Sequence, residues 1–97
     1  MTIQIHPVSP DKRRPKPADE TNLTFGKIFS DHIFMTQYRS GEGWLDARIV
    51  PYQNLDMDPA AMVLHYGQGI FEGLKAYRCE DGRIHLFRPE KNCERFN

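Results

Sequence analysis

A chain of 97 residues with 39% hydrophobic, 11% aromatic and 27% charged residues has the composition of an ordinary soluble globular protein, neither a disordered nor a membrane chain. At this length it forms at most one small domain with a modest core, burying about 60–65% of the surface that the unfolded chain exposes. Thirteen basic and thirteen acidic residues cancel, so nothing electrostatic argues for a nucleic-acid or anionic-membrane partner, and small molecules or proteins are the expected partners.

Residues 1–22 hold Pro7, Pro10, Pro15 and Pro17, many charges and no aromatic residue. That composition is too poor in apolar groups to offset the entropy of ordering, and it predicts a disordered tail. The cluster Lys12, Arg13, Arg14 and Lys16 is broken by prolines and flanked by acids, and reads as part of a solvated tail. Order is expected from Leu23, giving one small α+β domain over residues 23–97. Residues 25–39 carry Phe25, Ile28, Phe29, Ile33, Phe34, Met35 and Tyr38, aromatic and β-branched material for a strand, interrupted at Ser30-Asp31-His32. Ser40-Gly41-Glu42-Gly43 supplies a turn. Residues 44–50 then read as the second strand of an antiparallel hairpin, closed by Pro51, which has no N–H to donate.

Residues 51–59 form a polar loop, and Pro59-Ala60-Ala61-Met62 has the proline-first start of a short helical turn that Gly67 and Gly69 cut off. Alternation over residues 71–78, the turn Glu80-Asp81-Gly82 and renewed alternation over residues 83–87 predict a second hairpin. Pro89 stands at the first position of a helix running to Asn97, with Glu90 complementing its positive end. No stop signal precedes the end of the chain, and a helix of about eight residues is shorter than average, so the helix is expected to be cut short.

Spacing alone assigns no chemistry. Phosphate-loop, nucleophile-elbow and zinc-protease patterns are absent, and Gly67-x-Gly69-x-x-x-Gly73 misses the dinucleotide fingerprint by one residue. His6, His32, His65 and His85 are scattered without acidic or cysteine partners at ligand spacing, so no metal site is expected. Cys79 and Cys93 lack C-x-x-C spacing and read as reduced thiols. No apolar run approaches the ~20 residues needed to cross a bilayer. The first ten residues lack a secretory core, and a cytoplasmic location is expected.

A long ordered pattern adds more. Leu64-His65-Tyr66-Gly67-Gln68-Gly69-Ile70-Phe71-Glu72-Gly73-Leu74-Lys75-Ala76-Tyr77-Arg78, then Gly82-Arg83-Ile84-His85-Leu86-Phe87-Arg88-Pro89, then Asn92-x-x-Arg95, resembles the branched-chain amino acid aminotransferase family. Upstream, Phe25-Gly26-Lys27-Ile28-Phe29-Ser30-Asp31-His32-Ile33-Phe34-Met35 and Pro51-Tyr52-Gln53-Asn54-Leu55 also look like that family, so the resemblance covers residues 23–97.

The resemblance implies the N-terminal small domain of a fold type IV aminotransferase. Such an enzyme moves an amino group between leucine, isoleucine or valine and 2-oxoglutarate with pyridoxal phosphate as cofactor, as a homodimer. Arg95 stands at the family's cofactor-phosphate arginine, and a guanidinium suits that task because its planar fork donates parallel charge-assisted hydrogen bonds. Phe25, Tyr66 and Phe71 match positions that line the pocket for the aliphatic side chain, Tyr66 from the partner subunit. The competing assignment for these three is ordinary core packing, and for Arg95 an ion pair with an acid on its own helix. The lysine that holds the cofactor lies beyond position 97 in the family, and no catalytic residue is expected within this chain, which alone is expected to be inactive. Lys75 is most simply a solvated strand residue. Two further readings stay open: a D-amino acid transaminase or aminodeoxychorismate lyase relative, and a non-enzymatic interaction domain that uses exposed apolar faces.

Overall fold

The computed structural model describes residues 1–97, which divide into two compact units, Met1–Leu55 and Asp56–Asn97. In the first unit, β2 (His32–Arg39) and β3 (Gly43–Pro51) form the expected antiparallel hairpin. The turn between them needs a left-handed backbone, and Gly41 and Gly43 supply it, each at φ 85°. Tyr38 lies opposite Trp44, their rings edge-on with centroids 5.3 Å apart, a cross-strand aromatic pair of the kind that fixes register.

Register shifts between the pairs Met35 with Arg48 and Gln37 with Leu45. Between those pairs β2 carries Thr36 alone while β3 carries Asp46 and Ala47, which makes a β-bulge. Asp46 takes the left-handed conformation at φ 55°, which a short polar side chain tolerates. The Thr36 hydroxyl donates to the Leu45 carbonyl at 2.9 Å, and the Arg48 guanidinium donates to the Asp46 carbonyl at 3.0 Å and pairs with its carboxylate. Ala47 and Val50, at 3% and 7% exposure, are the buried apolar residues of this unit, both on β3.

Residues 1–22 depart from the expected tail. Gln4–Ile5 forms β1, pairing in parallel with Arg48 and Ile49, and the strand order is β1-β3-β2. The His6 N–H donates to Ile49 O at 2.9 Å, and the Val8 N–H donates to His32 Nε2 at 2.9 Å. Pro10–Lys12 makes a short 3-10 turn. Beyond it, the Arg14 N–H donates to Asp31 Oδ1 at 2.9 Å while its guanidinium sits 4.6 Å over the Tyr52 ring. Composition registers side-chain apolarity, but this segment is attached chiefly through backbone groups, whose pairing needs no apolar side chain. A second difference lies at residues 25–31: the strand begins only at His32, and Phe25 sits in a turn with Gly26 at φ 72°.

In the second unit, α1 (Met62–Tyr66) starts after a turn in which Asp58 accepts from the Ala60 and Ala61 N–H groups, and it ends at Gly67 in the left-handed conformation. Helix α1 therefore begins three residues after Pro59 and not at it. Strands β4 (Ala76–Arg78) and β5 (Ile84–Leu86) form the second hairpin through a turn with Gly82 at φ 84°. The alternation over residues 71–78 is strand only at its last three residues, because a strand extends no further than the partner it bonds to and β5 offers three. Helix α2 (Pro89–Phe96) has Pro89 at its start and Glu90 in its first turn, as the sequence predicts, and the structure adds a Lys91–Glu94 ion pair at 2.7 Å. No residue of this unit is buried; Ala61, Glu72, Pro89 and Asn92 are its half-buried residues. Mixed helix and antiparallel strand make the chain α+β, as expected.

Candidate functional site

The site residues expected from the sequence fall at different places. Phe25 is fully exposed in the first unit; Tyr66 closes α1 and Phe71 follows it in the loop, both exposed. Core packing does not account for these three in the residues described. Arg95 lies in the last turn of α2 and pairs with no acid of its own helix. Its partner is Glu72, the residue after Phe71.

This pairing is the most connected polar cluster in the chain. Arg95 Nε donates to Glu72 Oε2 at 2.6 Å and Arg95 Nη2 donates to Glu72 Oε1. Asn92, one helical turn before Arg95, donates through Nδ2 to Glu72 Oε1 at 3.1 Å and to the Gly73 carbonyl at 2.6 Å. The Gly73 N–H donates to Glu72 Oε1 at 2.9 Å. The spacing of Asn92 and Arg95 places both on the face of α2 that meets the 71–73 loop, where one carboxylate gathers three donor groups.

These donors hold the Glu72 carboxyl at about 2, well below its ordinary 4.5; Arg95 is the largest cause, followed by the Gly73 N–H, while burial opposes them and Asn92 adds a smaller lowering. The Arg95 guanidinium is raised in turn by Glu72. A carboxylate depressed in the folded state contributes stability that is present above its unfolded pKa and is lost as pH falls through its folded one. The stability contributed by the Glu72–Arg95 pair should therefore be complete above about pH 4.5 and be lost between there and about pH 2, the pair itself opening in the folded protein only as the pH nears 2. A carboxyl carbon NMR titration of Glu72 is expected to show its midpoint near 2; a midpoint near 4.5 would mean the pair does not form in solution.

A cleft of about 160 Å³ is lined by Phe87, Arg88, Lys91, Asn92 and Arg95. Three cations face one small space. Arg88 stands 3.9 Å from Glu90, and Lys91 is bonded to Glu94. The donor set suits a small anion with several oxygens, because Glu72 engages Arg95 through Nε and Nη2 and the Nη1 end of the fork points away from that bond.

Glu72 and Asn92 were not singled out as site residues from the sequence. Asn92 had a signal, its three-residue spacing from Arg95 on a helix. Glu72 is 23 positions from Arg95, and no local periodicity joins them.

Comparison with known proteins gives the class. No protein-family model matches the chain. The chain is 56% identical over 97 residues to branched-chain-amino-acid aminotransferase 2 of Bacillus subtilis (strain 168), covering all of this chain and 26% of that protein. It is 52% identical over 91 residues to a probable branched-chain-amino-acid aminotransferase of Streptomyces coelicolor, covering 94% of this chain and 24% of that one. It is 48% identical over 84 residues to the cytosolic branched-chain-amino-acid aminotransferase of Saccharomyces cerevisiae, covering 87% and 22%. These relatives are aminotransferases by name. The chain belongs to the branched-chain aminotransferase family, matching the N-terminal part of its members and spanning about a quarter of the length of the relatives it matches. No helix is long and apolar enough to cross a membrane.

Proposed function

We propose that this chain is the N-terminal part of a cytoplasmic, homodimeric, pyridoxal-phosphate-dependent enzyme that transfers an amino group between leucine, isoleucine or valine and 2-oxoglutarate. The observation that carries the reading is 48–56% identity to proteins named branched-chain aminotransferases. The same names favour it over a D-amino acid transaminase, an aminodeoxychorismate lyase or a free interaction domain.

The residues present fit the cofactor at one point. The cleft that Arg95 shares with Arg88 and Lys91 has the charge a phosphate requires, and Arg95 would hold that phosphate through the Nη1 end of its fork. When bound, pyridoxal phosphate supplies an electron sink for removal of the substrate's α-proton. Phe25, Tyr66 and Phe71 present apolar surface to solvent in this chain. In the assembled enzyme they would line the substrate pocket, Tyr66 from the partner subunit. Leucine, isoleucine and valine offer no side-chain hydrogen bond, so such a pocket selects them by shape and by burial, about 1.5–3 kcal/mol per side chain. The lysine that holds the cofactor is assigned to residues beyond 97, and the present chain alone is assigned no activity.

The test is glutamate formation from 2-oxoglutarate with each of leucine, isoleucine and valine, by the full-length protein loaded with cofactor and by the 97-residue chain. Turnover is expected from the first and none from the second. A loaded full-length protein that uses none of the three amino acids would overturn the substrate assignment, and turnover by the short chain would overturn the placement of the lysine.

A further inference from the structure

We propose that Glu72 is a positioning residue, fixing the guanidinium of Arg95 so that its free edge faces the cofactor phosphate; this rests on the phosphate role given to Arg95 above. Glu72 grips Arg95 side-on, through Nε and Nη2. A guanidinium carries five N–H donors in a plane, and a side-on carboxylate takes two of them. What remains is the opposite edge, Nη1 with the second N–H of Nη2, a pair of parallel donors spaced for two phosphate oxygens. The grip therefore selects which edge is offered and does not consume the fork.

The anchor is better fixed than the group it holds. The Glu72 side chain is 15% exposed and that of Arg95 is 71% exposed. Glu72 also accepts from Asn92 at 3.1 Å and from the Gly73 N–H at 2.9 Å, and Asn92 ties the same loop by donating to Gly73 O at 2.6 Å. A long, exposed arginine loses rotamer freedom on binding an anion; one already held by a carboxylate has lost it beforehand, which favours binding. Glu72 follows Phe71 directly in the chain, so the same contact ties the loop bearing that aromatic ring to the helix bearing Arg95.

A carboxylate beside an arginine has an opposite alternative role. If Glu72 only competed with the phosphate for Arg95, removing its charge would tighten phosphate binding; as a positioning residue, removing it weakens binding. The experiment uses the full-length protein and compares affinity for pyridoxal phosphate with affinity for pyridoxal, which lacks the phosphate, by intrinsic-fluorescence titration. The ratio isolates the phosphate contribution. Glu72→Gln is expected to lower the ratio by about tenfold, the coupling expected within one hydrogen-bond network. Glu72→Asp, which keeps the charge on a shorter arm, is expected to restore part of it, and Glu72→Gln is expected to add nothing in an Arg95→Ala background. A ratio that stays or rises in Glu72→Gln while Arg95→Ala lowers it would overturn the positioning role and leave the phosphate role standing. A ratio unchanged by Arg95→Ala would overturn the phosphate role itself. Should Glu72→Gln fail to fold, Asn92→Ala, which loosens Glu72 from the other side, is expected to lower the ratio by a smaller factor, and no change there counts against the proposal.

Discussion

Arg95→Ala in the full-length protein is expected to raise the dissociation constant for pyridoxal phosphate by one to two orders of magnitude. Hydrogen bonds to a charged group contribute about 1.5–3 kcal/mol, and about 1.4 kcal/mol is a factor of ten in affinity. The fold should survive, since the Arg95 side chain is 71% exposed and Glu72 keeps its Asn92 and Gly73 donors. Arg95→Lys should recover only part of the loss, because an ammonium supplies charge without the planar fork that allows Glu72 and a phosphate to be bonded on two edges at once. Equilibrium dialysis against labelled cofactor measures both variants. An Arg95→Ala protein that binds cofactor as tightly as the parent would remove the phosphate assignment.

Ala47→Asp is expected to destabilise the Met1–Leu55 unit by several kcal/mol. Ala47 is 3% exposed on β3, the central strand, inside the bulge that sets Asp46 and Ala47 against Thr36. A carboxylate there would either remain ionised out of water, at an effective cost of several kcal/mol, or take up a proton at neutral pH. Either outcome is large beside a total stability of about 5–15 kcal/mol for a folded protein. Urea denaturation at pH 7 of the full-length protein and its variant measures the loss, and part of it should return at low pH as the introduced carboxyl protonates. A midpoint within error of the parent would show that Ala47 is not buried in solution.

Legibility from the sequence followed the range of the forces involved. Helix α2 could be read because Pro89 and Glu90 act within one turn of themselves. The two hairpins could be read because Gly41, Gly43 and Gly82 mark turns and the flanking residues alternate. Strand length was less legible: residues 71–75 alternate as residues 76–78 do, but only the latter face a partner. The bulge carried no signal, because Asp46 adopts a backbone conformation usually marked by glycine. The attachment of residues 4–6 was invisible to any reading of side-chain character, being made by backbone groups.

The site divides in the same way. The proposed roles of Arg95 and of the aromatic positions rest on motif order, and the structure adds what holds Arg95. A carboxylate 23 residues away joins it only because the 71–73 loop and α2 meet in the fold. The depressed Glu72 carboxyl is a property of that meeting, and neither residue's local sequence carries it.

The placement of β1 has a consequence for how molecules of this protein behave toward each other. With Gln4–Ile5 on one side of β3 and β2 on the other, the central strand presents paired backbone groups on both sides along residues 48–49. Without the first residues, that stretch would be an open strand edge next to apolar Ile49, and such an edge recruits a strand from a second molecule. Gln4–Ile5 thus covers backbone groups of β3 that would otherwise be open to a second strand, which gives a physical reason for a polar, weakly packed stretch to lie along the sheet.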